Sequence, residues 1–232
     1  MNRLIKYKAL PRNEAERQIS KLTTIATVLG LKDPYTRKHA RRVAIYAGRL
    51  AERIGLNATE VENIRLGGLL HDVGKIALST KVLNNTHKQL TDNMLAEVRQ
   101  HPQRGVAILK EFDLPGAVID IVRYHHENMD GSGYPFGLKS FQIPLSAKII
   151  RVADCFDAIT TDRPYQQRKS WIEALAILRQ FSGTELNPML VRAFIADIKE
   201  NGLALNPARS ISLYSPVFDR RLMESAINGL GE

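Results

Sequence analysis

At 232 residues and 44% hydrophobic content, the chain has the size of one large domain or two small ones and is too apolar for a disordered polymer. Its net charge of +9 raises nucleic-acid or acidic-ligand binding, but the excess forms no single long run. It is densest at Arg3, Lys6, Lys8 and Arg12, which read as a solvated basic tail over residues 1–13. A single cysteine, Cys155, excludes an intrachain disulfide and reads as a small core residue. No apolar stretch approaches the ~20 residues of a membrane helix, and the basic first residues lack the apolar segment of a signal peptide. The cytoplasm is the expected compartment.

The patterning predicts an all-α protein. Ile19, Leu22, Ile25 and Leu29 repeat at helical spacing over 14–30, with Gly30 as the stop. Asp33-Pro34 opens a second helix, carrying His39, Val43, Tyr46 and Leu50 to about Ile54. A third starts near Ala58 or Thr59 and runs into His71-Asp72. Residues 78–90 read as a loop, and Thr91 caps the next helix, which His101-Pro102 interrupts before a short helix with Val106, Ile108 and Leu109. Pro115 begins a helix that reaches His125-His126. Residues 128–144 hold Gly131, Gly133, Pro135, Gly137 and Pro144 and predict a long structured loop, a length usually tied to function. Helices follow at about 145–161, 170–181 and 188–200, so the domain spans 14–200 and 201–232 form a C-terminal extension.

The chemistry lies in the histidines. His71-Asp72 and His125-His126 are adjacent pairs, and neighbours on a helix diverge by roughly 100°. One imidazole can then serve one ion while the Asp72 carboxylate reaches a second, and His125 and His126 can face different ions. Imidazole with carboxylate is the donor set of borderline divalent ions. Two such ions ~3.5–4 Å apart can share a hydroxide and clamp a phosphate oxygen. Asp154, amid Ile149, Ile150, Val152 and Phe156, needs a partner if buried. His39 and His101 taken singly read as ordinary core histidines, and His87 as a surface residue. The joint occurrence of the two pairs with two further histidines points to a metal-dependent hydrolase.

DPYTRKH (33–39), HDVGK (71–75), HPQRG (101–105), HHENMDGSGYP (125–135), ADCFDAIT (153–160), RPY (163–165) and the NP of 187–188 together resemble the HD-GYP subgroup of the HD-domain phosphohydrolases. The likeness covers about Asp33 to Phe194 in order and in spacing. It implies an HD-domain-like helical bundle with a long structured GYP loop. The implied activity is metal-dependent hydrolysis of cyclic di-GMP to the linear dinucleotide pGpG and onward to GMP. By position, the implied metal ligands are His39, His71, Asp72, His101, His125, His126 and Asp154, and the implied ions are iron or manganese first, with zinc and nickel as alternatives. Members with a third ion carry a glutamate four residues before the first histidine; Tyr35 stands there, so two ions are expected. Where some members have a basic residue three after the arginine of RPY, this chain has Gln166.

The resemblance implies that Lys75 contacts the scissile phosphate and Arg163 another part of the phosphodiester. On a continuing helix Lys75 would share a face with His71 and Asp72. Arg104 is a weaker phosphate candidate. Gly131 and Gly133 permit unusual backbone angles whose amides could bind a base or phosphate. Tyr134 either stacks on guanine or wedges the loop against the core. A different cyclic dinucleotide or nucleotide as substrate, and a non-catalytic dinucleotide-sensing module, are the alternative readings, with direct nucleic-acid binding below them. The short segment before the first helix predicts a stand-alone enzyme or one regulated by a protein partner through that helix and the tail; the oligomeric state is left open.

Overall fold

Residues Pro34–Arg53 form helix α1, whose buried side repeats at helical spacing through Thr36, His39, Ala40, Val43, Ala47 and Leu50. The structure is a computed structural model, and it describes residues 34–83, 85, 90–162 and 167–203. The tail, the helix expected over 14–30, Asp33, the side chain of Tyr35, His87, Arg163, Gln166 and residues 204–232 of the extension lie outside the described residues.

Helix α2, Ala58–Leu70, begins on a capping box: Asn57 Oδ1 accepts from the Glu60 amide at 3.0 Å, and Glu60 Oε2 from the Asn57 amide at 3.0 Å. It does not continue into Asp72 as the sequence suggested. His71 is its C-cap, and Val73–Ala77 follow as a tight 3-10 turn. The reason is Gly74, which packs so closely on the next layer that a Cβ there would overlap the carbonyl oxygen of His101.

Within the segment read as a loop, Thr80–Leu83 form one helical turn, α3. Helix α4, Asp92–Val98, is capped by Thr91 as expected. Helix α5, His101–Leu109, begins at His101 itself rather than after it. Pro102 sits in its first turn, where the missing N–H has no partner to lose. Helix α6 is Gly116–Tyr124, α7 Leu145–Thr160, α8 Trp171–Gln180 and α9 Pro188–Asn201. Among the described residues there is no strand, only the isolated bridges Asp130–Lys139 and Ser182–Leu186 that close loops. No described helix is long and apolar enough to cross a membrane.

Two apolar clusters hold the helices. In the larger, α1, α2, α7, α8 and α9 meet around Leu50, Phe156 and Phe194, with the Phe156 and Phe194 rings 5.0 Å apart and edge-on. In the smaller, Leu70, Val73, Val106, Leu109, Val118 and Val122 join the end of α2 and the following turn to α5 and α6. Each fully buried aliphatic or aromatic side chain contributes about 1.5–3 kcal/mol. Between the clusters, the end of α2, the start of α5 and the end of α6 converge on the sides of α1 and α7.

A candidate metal centre and its cleft

Every implied ligand arrives at that convergence. His39 comes from α1, His71 and Asp72 from the end of α2, His101 from the first turn of α5, His125 and His126 from just beyond α6, and Asp154 from α7. His39, His71, Asp72, His101, His125 and Asp154 are buried. Two sets of donor atoms lie within 4.8 Å of one another, Asp72 with His101, His125 and His126, and Asp72 with His39 and His71. Asp72 belongs to both, and its two oxygens divide the work. Oδ1 lies 3.4 Å from His101 Nε2 and 4.0 Å from His125 Nε2, while Oδ2 lies 3.4 Å from His71 Nε2 and 3.9 Å from His39 Nε2. His125 and His126, expected to face different ions, fall in the same set, because both follow the end of α6 with rings 4.2 Å apart.

The outer nitrogens fix the ring orientations. His71 Nδ1 donates to the Gly68 carbonyl at 2.7 Å, His101 Nδ1 to that of Val98 at 2.7 Å, and His125 Nδ1 to that of Val122 at 3.1 Å. A carbonyl can only accept, so the proton sits on Nδ1 and each Nε2 lone pair faces inward. His39 Nδ1 donates instead to Asp157 Oδ2 at 2.7 Å. Arg42 holds Asp157 with both arms, Nε to Oδ1 at 2.6 Å and Nη2 to Oδ2 at 3.0 Å. A carboxylate behind a ligating imidazole fixes the tautomer and raises its basicity.

Of the six buried side-chain atoms without a hydrogen-bond partner among the described residues, two lie in this cluster, His71 Nε2 and Asp72 Oδ1. Both point into the cluster, and buried polar groups are seldom orphaned. The donor set therefore fits divalent metal ions, which would satisfy both atoms.

The ionisation states suit that role. Burial would raise Asp72, but the Lys75 ammonium and the neighbouring imidazoles hold its carboxyl well below the usual range. Asp154 is likewise held low against its burial, chiefly by the hydrogen bond from His39. Burial pushes His101 down to about 4 and His125 and His126 well below the normal imidazole value. His39 goes the other way: burial opposes its charge, but its bonds to Asp154 and Asp157 raise it to about 9.

Lys75 reaches Asp72 Oδ2 at 2.7 Å, the 3-10 turn bringing the two together as a continuing helix was expected to. Arg104 lies at the back of that turn, its Nη1 donating to the Ala77 carbonyl at 2.7 Å and its Nη2 to Gln100 at 2.8 Å. In the loop, Gly131 has φ +87° and spends its amide on the Asn128 carbonyl, while Gly133 lies so close to His126 and Asn128 that a Cβ would overlap their backbones. The Tyr134 ring stacks on His126 at 4.6 Å, between the loop and the cluster. Glu127 is buried and accepts from the Phe136 and Leu138 amides, each at 2.8 Å. It ties the GYP loop to the ligand-bearing backbone.

Sequence reasoning passed over Asp157, Arg42 and Glu127. The signal for the first two was a matched spacing, His39 and Arg42 three apart on α1 against Asp154 and Asp157 three apart on α7. Above the cluster opens a cleft of about 310 Å³, whose walls include His39, Asp72, Lys75, His126, Arg151 and Asp154.

The family model described as the HD domain matches residues 23–190. A cyclic di-GMP phosphodiesterase of Pseudomonas aeruginosa is 39% identical over 168 residues, 72% of this chain and 40% of the relative. One from Thermotoga maritima is 38% identical over 173 residues, 73% of this chain and 46% of the relative. The chain thus spans less than half the length of these curated relatives. The crystal structure of a cyclic GMP-AMP-specific phosphodiesterase of Vibrio cholerae superimposes with TM-score 0.66 at 20% identity, covering 94% of this chain and 59% of that one. An HDG"Y"P protein from Bdellovibrio bacteriovorus gives TM-score 0.60 at 16% identity over 85% of this chain and 75% of that one. These two likenesses concern the fold.

Proposed function

Since the chain belongs to the HD domain family and carries the motifs of its HD-GYP type, we propose that it is a metal-dependent phosphodiesterase that hydrolyses cyclic di-GMP to pGpG, and onward to GMP. The observation that carries this reading is the division of the Asp72 carboxylate between two sets of inward-facing imidazoles beneath an open cleft. Two divalent ions, iron or manganese by preference, would be held by His39, His71, Asp72, His101, His125, His126 and Asp154. When bound they supply Lewis acidity, lowering the pKa of water toward neutrality and offsetting charge on the phosphodiester.

The chain's own residues do the rest. Asp72 holds Lys75 at the floor of the cleft, where its ammonium can bind a non-bridging phosphate oxygen or meet the charge on the departing ribose oxygen. Asp157 and Arg42 keep the His39 ring aimed, and Glu127 and Tyr134 brace the GYP loop against the cluster. Arg163 retains its expected phosphate contact in this proposal, and Arg104 acts behind Lys75 by bracing its turn. The reaction breaks one P–O3′ bond, adds water oxygen to phosphorus and leaves a proton on the 3′ oxygen.

A second reading, mixed cyclic GMP-AMP as substrate, is favoured by a 3′3′-cGAMP-specific phosphodiesterase of Vibrio cholerae that is 32% identical over 167 residues. We place the enzyme in the cytoplasm, open to a regulatory protein partner. Chromatography of products from purified protein loaded with iron or manganese tests the proposal. Conversion of cyclic di-GMP to pGpG supports it, and intact cyclic di-GMP beside consumed cyclic GMP-AMP selects the second reading.

A further inference from the structure

Among the residues in the walls of the cleft that belong to neither metal set are Arg151, Glu185 and Phe181. Arg151 lies on α7 one turn before Asp154, so its guanidinium enters the cleft beside the cluster. It donates to Asn128 Oδ1 at 3.0 Å and 3.2 Å and to Glu185 Oε2 at 2.7 Å. Glu185 precedes α9 and keeps 31% of its side chain exposed, and its other oxygen accepts no hydrogen bond among the described residues. The half-buried Phe181 ring and Ile159 form an apolar stretch of the same lining.

This part of the wall is ill-suited to a second phosphate. The Arg151 charge is matched by Glu185 at 2.7 Å, and an incoming phosphodiester anion would meet a carboxylate as well as a guanidinium. A neutral partner with an acceptor beside two donors fits instead. The Watson–Crick edge of guanine has that order, with O6 accepting and N1–H and N2–H donating. Adenine presents a donor where Arg151 donates and an acceptor where Glu185 accepts. Phe181 offers the apolar face against which a base can stack.

We propose that Arg151 and Glu185 form a guanine-reading subsite, with Phe181 as its platform, making them the specificity-determining pair of this cleft. The inference rests on the cyclic-dinucleotide reading and sharpens it: a guanine base sits at this wall while the scissile phosphate lies over the metal centre. Both substrates considered above contain such a base, so the subsite discriminates against the all-adenine dinucleotide.

The test compares Glu185→Gln with wild type, both metal-loaded, on cyclic di-GMP, cyclic di-AMP and bis(p-nitrophenyl) phosphate, an ester with no purine. The amide keeps the size of the carboxylate and still offers an acceptor to Arg151. The expected result is a loss of kcat/KM on cyclic di-GMP at least about tenfold larger than the loss on the purine-free ester. It is carried mainly by KM, and the preference over cyclic di-AMP shrinks. Arg151→Lys, which keeps the charge but not the planar fork, gives the same pattern. Equal losses on all three substrates, or an unchanged preference, would assign the pair to bracing and overturn the subsite alone. A wild-type protein that cleaves the simple ester and no guanine dinucleotide overturns the substrate reading itself, and the subsite with it.

Discussion

His101 Nε2 faces His125 Nε2 at 3.1 Å, and each ring has its other nitrogen committed to a backbone carbonyl. Burial keeps both rings neutral, so two lone pairs point at each other across a gap that Asp72 Oδ1 also borders. A cation there converts a repulsion into shared coordination. Metal loading should therefore stabilise the fold. At a free ion concentration of ~100 Kd the gain is about 2.7 kcal/mol, or roughly 5–11 °C in Tm for a chain of this size. Thermal unfolding of chelated and reloaded protein measures it, and equal Tm values would contradict the centre.

Asp72 is the one residue common to both donor sets. Asp72→Ala should remove most bound metal and abolish turnover, a larger effect than the ~10–100-fold typical of losing an orienting partner. Elemental analysis of freshly purified protein beside the turnover assay checks both halves.

Among the described residues Asp157 reaches the centre through His39, and Arg42 holds its carboxylate in place. Asp157→Asn leaves every ligand in place but weakens the acceptor behind the His39 ring. Metal affinity should fall by about 10–100-fold, read by competition against a chelator. Turnover should recover at saturating metal, a recovery not expected of Asp72→Ala.

His39 sets the pH dependence. Its pKa in the folded, metal-free protein is about 9 against 6.5 for the free side chain. The raised value means its protonation stabilises the metal-free fold fully below about pH 6.5, and this contribution is lost as pH rises through about 9. Metal must displace that proton, so apparent affinity should climb by up to about tenfold per pH unit between pH 7 and 9. His101, His125 and His126 are already neutral across that range and add nothing. Calorimetry in buffers of different ionisation heat should show about one proton released per chain near pH 7.5, on filling the set that contains His39.

Glu127 satisfies two loop amides from a buried position. Glu127→Ala leaves Phe136 and Leu138 unpaired, at a cost of about 1–3 kcal/mol for each donor that water does not reach. Denaturant unfolding measures the loss, and faster amide exchange at 136–138 locates it.

The resemblance read from DPYTRKH to the NP of 187–188 named ligand residues that the fold brings together. The helix start at Thr91 was legible because a cap is a local matter of one side chain and an amide two or three residues on, and the starts read near Ala58 and at about 170 carry caps of the same kind, Asn57 and Ser170. The end of α2 was not, since Gly74 shortens it only by meeting the His101 carbonyl from another layer. Glu127 escaped notice because its partners lie 9 and 11 residues away in an irregular loop, where no period marks them.

The sequence by itself determined the helical class, the donor chemistry and the motif order, all of which follow from residue types and short-range spacing. Only the tertiary structure decided that the two oxygens of Asp72 serve different imidazole sets, that His125 and His126 share one of them, and that Asp157 stands behind His39 from 118 residues away. Those relations depend on how α1 settles against α7 and how the ends of α2 and α6 meet. Packing of buried apolar faces sets that geometry, and no local pattern along the chain records it.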